Sequence, residues 1–402
     1  MDQTPVPNDK LGLNDLTRRK FLQRAAGVGA LAMAPGILAA CGGGGSTTGS
    51  TAASGGGGGA GTVGGTLNYL GWQAEDYQEL LAPWKKKNGV TIHSTFIGNM
   101  SDIAAKYAAG GGGEYDIINM SSNGTSRLLG SGVPFMPLDL KQIPNYDGLI
   151  GFFKKDPENT FKNENGDVVA IPTTYGAIGI NFDKTKTEPP GKWTDLLAPK
   201  YKGQITILDD PSTAIGTAGA ILGFTTNEMT KEQLEEVKKW LSQFVKQAKS
   251  FAPSFGDMST QLAQGEVLAG MLGMTSDNAF AAEAGNKNIE TVFEFPEGSA
   301  SFTECYCIPE DGSNPATAYS MINELLAPKN NAEAANIVVL SPTVEKALPL
   351  VDATVKPLFP STTPAIEKFL ESSPMVQDAP AQSDEFVTFG EVTQAWTEVK
   401  GE

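Results

Sequence analysis

Past residue 65, apolar positions recur at two alternating spacings. Residues 66–70 predict a first strand, with Trp72 where the chain turns. Over residues 76–87, Tyr77, Leu80, Leu81 and Trp84 follow one another at three- and four-residue steps, which predicts a helix ended by Asn88-Gly89. Residues 90–97 predict a second strand and 100–109 a second helix, stopped by the glycines at 110–113. Residues 115–120 are a short apolar run of the kind buried on both faces of a parallel sheet. Strand and helix in alternation predict an α/β domain.

The second half continues the pattern. Strands are predicted at 168–171, 177–182 and 204–208, and a helix at 214–222. The strongest helix opens at Thr230, where Thr230-Lys231-Glu232-Gln233 is a capping box and Leu234, Val237, Trp240, Leu241, Phe244 and Val245 form one apolar stripe. A helix at 258–264, strands at 268–272 and 302–308, and helices at 319–326 and 332–340 follow, with Pro328 between the last two. Pro342 is expected to open a further helical turn. There is no internal repeat.

Residues 16–41 have a different order: Arg18 and Arg19, then Lys20, Phe21 and Leu22, then a charge-free run over 25–40. That run falls short of the roughly 20 apolar residues a membrane-spanning helix needs. Gly27, Gly29, Pro35 and Gly36 weaken its helicity further. The order reads as an export signal. Residues 17–22 resemble a twin-arginine translocation signal, and Leu38-Ala39-Ala40-Cys41 resembles a bacterial lipobox, whose Cys is acylated after cleavage ahead of it. These resemblances imply a signal peptide over 1–40 and lipidation at Cys41. Residues 41–65 are then a tether of Gly, Ser, Thr and Ala, with a reach on the order of 25 to 30 Å. No G-x-x-x-x-G-K-S/T follows it, so it is not a phosphate loop.

Composition narrows the chemistry. The chain carries a formal charge of −16, and removal of residues 1–40 takes away five basic and three acidic residues, so the remainder is more acidic still. That charge opposes nucleic-acid binding. About 335 residues remain beyond the tether, enough for two ordinary domains. The single histidine, His93, excludes H-E-x-x-H zinc chemistry and leaves a Ser-His-Asp hydrolase only this one candidate. His93 lies on the polar face of the 90–97 strand, and no G-x-S-x-G elbow exists. Cys305 and Cys307, at an i, i+2 spacing poorly suited to a disulfide, read as small buried residues.

A specific motif appears at 193–203, WTDLLAPKYKG. It resembles the W-x-D-L-x-x-P-x-Y-K-G segment of bacterial solute-binding proteins, nearest to the spermidine/putrescine-binding family of ABC importers. Trp72, Tyr115-Asp116-Ile117-Ile118, Ile171-Pro172, the 175–181 segment, QLAQGE at 261–266 and Cys307-Ile308-Pro309 fall in the same order. The resemblance spans nearly all of 66–400. It implies a two-lobe α/β fold of the periplasmic-binding-protein type (type II), with a ligand cleft and hinge strands near 175–180 and 302–308. Lobe one is then 66–176 with 304–345, and lobe two 177–303 with 346–402.

The same resemblance places Trp72 at an aromatic wall, Asp210 and Glu304 at acidic positions, and Ser121 at a small polar one. Each suits a cationic amine, whose ammonium needs oxygen ligands and whose methylenes need aromatic walls. Departures are equally specific. Thr213 stands where the family has a second acid, and Asn123, beside Ser122, where it has an aromatic. Phe302 replaces a Trp, and Gly273 or Met274 replaces another, with Asp277 nearby. Tyr175 could add a wall and Glu75 or Asp76 could supply charge, although both acids are read first as helix-start acids that complement the helix dipole.

The implied protein is a monomeric, lipid-anchored receptor in the periplasm or on the outer face of the cytoplasmic membrane. It captures a small cationic, polyamine-like solute for an ABC permease, with no catalytic residue, cofactor or metal. A sugar or phosphonate receptor of the same fold, a receptor that docks to a sensor, and an exported hydrolase are the competing readings.

Overall fold

The computed structural model describes residues 61–97, 103, 105–107, 113–130 and 133–401. The export signal, Cys41, most of the tether and much of the helix expected at 100–109 lie outside them.

The first half contains β1 (Gly65–Trp72), α1 (Ala82–Asn88), β2 (Val90–Ile97), β3 (Ile117–Ser121), α2 (Ser122–Gly130), α3 (Gly151–Lys155) and β4 (Ala170–Asp183). Then come β5 (Ile205–Leu208), α4 (Pro211–Leu222), α5 (Lys231–Val245), β6 (Ala248–Ala252), α6 (Phe255–Gln264), β7 (Ala269–Gly273), α7 (Ser276–Glu283), β8 (Ile289–Val292) and β9 (Ala300–Cys307). The chain ends with α8 (Pro315–Leu325), α9 (Pro328–Val338), β10 (Ser341–Pro342), α10 (Thr363–Ser372) and α11 (Phe389–Gly401).

The strands run in the order β2-β1-β3-β9-β4-β7-β5-β6, with β8 and β10 also paired to β4. At each end is a parallel set, β2-β1-β3 and β7-β5-β6. The antiparallel strands β9 and β4 join them. Strand β4 crosses from one set to the other. Its first part, to Ile178, pairs with β9, and from Gly179 onward it pairs with β7 and β8, with a register shift at Gly179/Ile180. Two glycines permit this passage. A Cβ at Gly179 would collide with the Val292 carbonyl oxygen, and one at Gly176 would stand 2.5 Å from the Phe302 ring.

Several elements differ from the sequence pattern for identifiable reasons. The strands expected at 168–171 and 177–182 are one strand, because a register shift between Pro172 and Thr174 absorbs the proline's missing donor. The helix expected from Asp76 begins only at Ala82: residues 73–81 are mostly turns, with Ala74 at φ 72° and Tyr77 at φ 43°. Burial of Glu75 and Tyr77, and donation by the Tyr306 hydroxyl to the Glu75 carbonyl, outweigh the helical spacing. Gly89 ends α1 in the left-handed conformation, at φ 64°. Pro342 pairs in β10 with Thr174 instead of opening a helical turn. The Thr230 capping box is present in full, with Thr230 N donating to Gln233 Oε1 (2.9 Å) and Gln233 N to Thr230 Oγ1 (3.3 Å). Cys305 and Cys307 are buried free thiols, and burial raises both pKa values. His93 is exposed on β2.

Candidate ligand-binding cleft

The carboxyl ends of β1, β3, β5 and β7 converge with the crossing strands β4 and β9 on a cavity of about 500 Å³. Open α/β sheets bind ligands at such strand ends. Trp72 and Ser121 reach it as the last residues of β1 and β3, Asp209 and Asp210 follow β5, and Ile178, Phe302 and Glu304 come from the crossings. Among the described residues no Lys or Arg lines it.

One end is acidic. Ser121 and Glu304 are register partners on β3 and β9, and the Ser121 hydroxyl donates to Glu304 Oε1 at 2.7 Å. Glu75, on the turn after β1, accepts from Asn119 Nδ2 at 3.0 Å. Glu304 is 5 % exposed and Glu75 6 %. Burial pushes Glu304 up to about 7, against the pull of the Ser121 hydroxyl and the Trp72 indole N–H. The indole nitrogen favours the charged form from outside hydrogen-bond geometry, and both it and Glu304 Oε2 are buried without a hydrogen-bond partner. Glu75 is raised too, first by burial and then by the charge of Glu304. Neither buried carboxyl has a Lys or Arg among the described lining residues to neutralise it.

The opposite end is mostly apolar, and its acids are engaged. Asp209 Oδ1 accepts from Trp396 Nε1 (2.8 Å) and Lys400 Nζ (2.5 Å). Asp210 caps α4, its Oδ1 accepting from Thr213 N at 2.7 Å. Behind this wall, Arg127 of α2 pairs with Asp378 (Nε–Oδ2 2.6 Å), donates to Ser212 Oγ (2.8 Å) and lies 3.8 Å over the Phe389 ring. Pro253, Ser254, Phe255, Met274, Ser276 and Phe280 complete this end.

Residues 79–361 match the family of bacterial extracellular solute-binding proteins. The chain belongs to this family. It is similar to the putrescine/cadaverine-binding protein of Pseudomonas aeruginosa, with 24% identity over 75% of this chain and 87% of that one. It is similar to the spermidine/putrescine-binding periplasmic protein of Escherichia coli, with 26% identity over 73% and 83%. Among solved structures, the spermidine/putrescine ABC transporter substrate-binding protein of Streptococcus pneumoniae superposes with a TM-score of 0.67 and 23% identity, over 84% of this chain and 98% of that one. The fold is thus the two-lobe α/β type of periplasmic binding proteins.

Within this solute-binding fold, Trp72, Ser121, Asn123, Asp210, Thr213, Phe302 and Glu304 all line the cavity. Ser122, Tyr175 and Asp277 do not. Ser122 opens α2 fully buried, its hydroxyl accepting from Thr303 N at 3.3 Å. Tyr175 points into the core, its ring 5.7 Å from that of Phe153 and 5.9 Å from that of Phe359. Asp277 lies beneath the cavity floor and accepts from Asn181 Nδ2 (2.5 Å), Met274 N (2.9 Å) and Ser259 Oγ (3.4 Å). Burial raises it to about 7. The sequence pattern did not mark Gln73, Ser254, Phe255, Ser276 and Phe280, and it offered Glu75 as a source of charge only second to a helix start. Among the described residues no group of three or more His, Cys, Asp or Glu could hold a metal, and no helix is long and apolar enough to cross a membrane.

Proposed function

We propose that this protein is a lipid-anchored extracytoplasmic receptor that captures a small cationic amine and delivers it to an ABC permease. It binds without making or breaking a covalent bond, works as a monomer, and needs no cofactor. The carrying observation is the pair Glu304 and Glu75, buried at the cavity wall with no base opposite. An ammonium group there would complete Glu304 Oε2, with Trp72 and Phe302 as aromatic walls. Ser121 orients Glu304, and Asp210, Thr213 and Asn123 line the space beyond. The polyamine-binding relatives support this solute class.

Closure follows from the strand crossings. Residues 66–176 with 304–345 form lobe one, 177–303 with 346–402 form lobe two, and β4 and β9 carry the hinge. The order of residues 16–41 supports twin-arginine export and acylation of Cys41, holding the receptor in the periplasm or on the outer face of the cytoplasmic membrane.

The test is a thermal-shift screen with polyamines, other amines, sugars and phosphonates. A ligand at 100 times its Kd adds about 2.7 kcal/mol of stability. A shift with a sugar or phosphonate and none with any amine would overturn the amine reading. For the anchor, Cys41→Ser should move the protein from the membrane fraction to the soluble one.

A further inference from the structure

Resting on the amine reading, we infer that the cleft is built for a single-headed amine, one ammonium group on a broad apolar body, in preference to a linear α,ω-diamine. A diamine needs an acidic oxygen set at each end of its chain. This cavity offers one such set with free capacity: Glu304, whose Oε2 is buried and unpaired, and Glu75 beside it. The two acids at the far end each already have a partner. Asp209 is neutralised by Lys400, and Asp210 caps the first turn of α4. Asp210 also lies close enough to the Arg127–Asp378 ion pair to raise the Asp378 pKa, so a guanidinium already stands behind it.

The dipoles agree with this polarity. The N-termini of α4, α6 and α7 open on the far end through Pro211, Ser254 and Ser276, and their partial positive charge offsets the acids that sit at them, Asp210, Asp257 and Asp277. Ser276 is 8 % exposed and lines this end, so its hydroxyl can offer one neutral hydrogen bond there. The rest of that wall is broad and apolar: Phe255, Met274, Phe280, Val338, Leu340 and Val376. A thin polymethylene rod would leave this surface against water, whereas a ring or branched alkyl group would cover it.

Titration calorimetry of the full-length protein tests this with 2-phenylethylamine and the branched 3-methylbutylamine against putrescine, cadaverine and spermidine, and with 3-phenylpropionate as the anionic-head control. The monoamines should bind roughly tenfold or more tightly than the diamines, the effect of burying the extra apolar surface. Glu304→Gln should weaken them, and by far more than Asp210→Asn does. Tighter binding of putrescine or spermidine, lost equally in Asp210→Asn and Glu304→Gln, would overturn the single-headed ligand and leave the amine reading standing. Binding of 3-phenylpropionate in place of every amine would overturn both.

Discussion

Ser121 and Glu304 face each other across the one antiparallel junction that ties β3 to β9, and the serine hydroxyl holds one glutamate oxygen while the other stays unpaired. The carboxylate is therefore oriented but incompletely satisfied. Glu304→Gln should weaken amine binding by about 2 kcal/mol or more, near thirtyfold, because a charge-assisted hydrogen bond to a buried ammonium is lost. The ligand-free protein should melt no lower, and above pH 7 somewhat higher, since the substitution removes a buried charge. Calorimetric affinity and melting temperature, measured on the same sample, separate these effects.

The carboxyl pair also sets a pH dependence. Glu304 titrates near 7 in the folded protein against an ordinary value of 4.5, and Glu75 is raised with it, so the folded state binds more protons than the unfolded chain between those values. Stability without ligand should fall as pH rises from about 4.5 to 7 through this pair, by on the order of 3 kcal/mol for Glu304 alone. Amine affinity should move oppositely, rising with pH through the same window as the acids ionise. The surrounding Tyr69, Tyr77 and Tyr306 hydroxyls are all pushed upward and stay protonated there. Chemical denaturation and calorimetry at pH 5, 6, 7 and 8 check both slopes. Glu304→Gln should flatten the greater part of the affinity slope but remove only its own share of the stability slope, because burial also raises Asp277 and Glu158 to about 7; an unchanged affinity slope in that variant would assign the dependence to other groups.

Arg127 carries a different kind of prediction. It begins on α2, beside the cavity residues Ser121 and Asn123, and ends against Ser212 of α4, Phe389 of α11 and Asp378 in the connection between α10 and α11. Asp378 is 2 % exposed, and burial raises its pKa even with the guanidinium adjacent. Arg127→Met should destabilise the fold by about 3 to 5 kcal/mol, because it leaves that carboxylate buried and alone. The double variant Arg127→Met with Asp378→Leu should recover most of the loss in urea denaturation.

How much of this was legible in the sequence depends on the range of the interaction concerned. Period and capping gave the helix at Thr230, the parallel strands and the α/β class, all decided within a few residues. The motif around Trp193 was visible but is not part of the cleft. Its indole is fully buried, with Trp193 N donating to Glu297 Oε2 (2.6 Å) and Nε1 to the Gly298 carbonyl (3.0 Å), so the motif holds the connection between β8 and β9. Asp209 and Asp210 are adjacent acids in sequence, yet only one meets Lys400, across 191 positions. No local pattern encodes that pairing. Tyr175 and Asp277 fit the expected chemistry of a cleft residue but face the wrong side of their elements, β4 and α7, once those strands and helices are packed. Glu75 was masked by a helical spacing that tertiary burial overrides.

The glycines of β4 give the last test, because they separate the cavity wall from the strand crossing. At Gly179 the obstacle to a side chain is the Val292 carbonyl on β8, which cannot rotate away without breaking the β4–β8 pairing. At Gly176 the obstacles are the Phe302 ring, 2.5 Å from the added atom, and the Leu340 methyl at 2.8 Å, both side chains that line the cavity. Gly179→Ala should therefore lower stability by about 1 to 3 kcal/mol with little change in affinity measured below its melting temperature. Gly176→Ala should instead push Phe302 and Leu340 into the cavity, with a smaller stability loss and a clear loss of amine affinity. Pairing Gly176→Ala with Phe302→Leu should restore stability, since the shorter side chain vacates the contested space. If the two glycine variants lose affinity equally, the crossing at Gly179 controls the shape of the cleft as strongly as its own wall does, and the hinge would then lie at that residue.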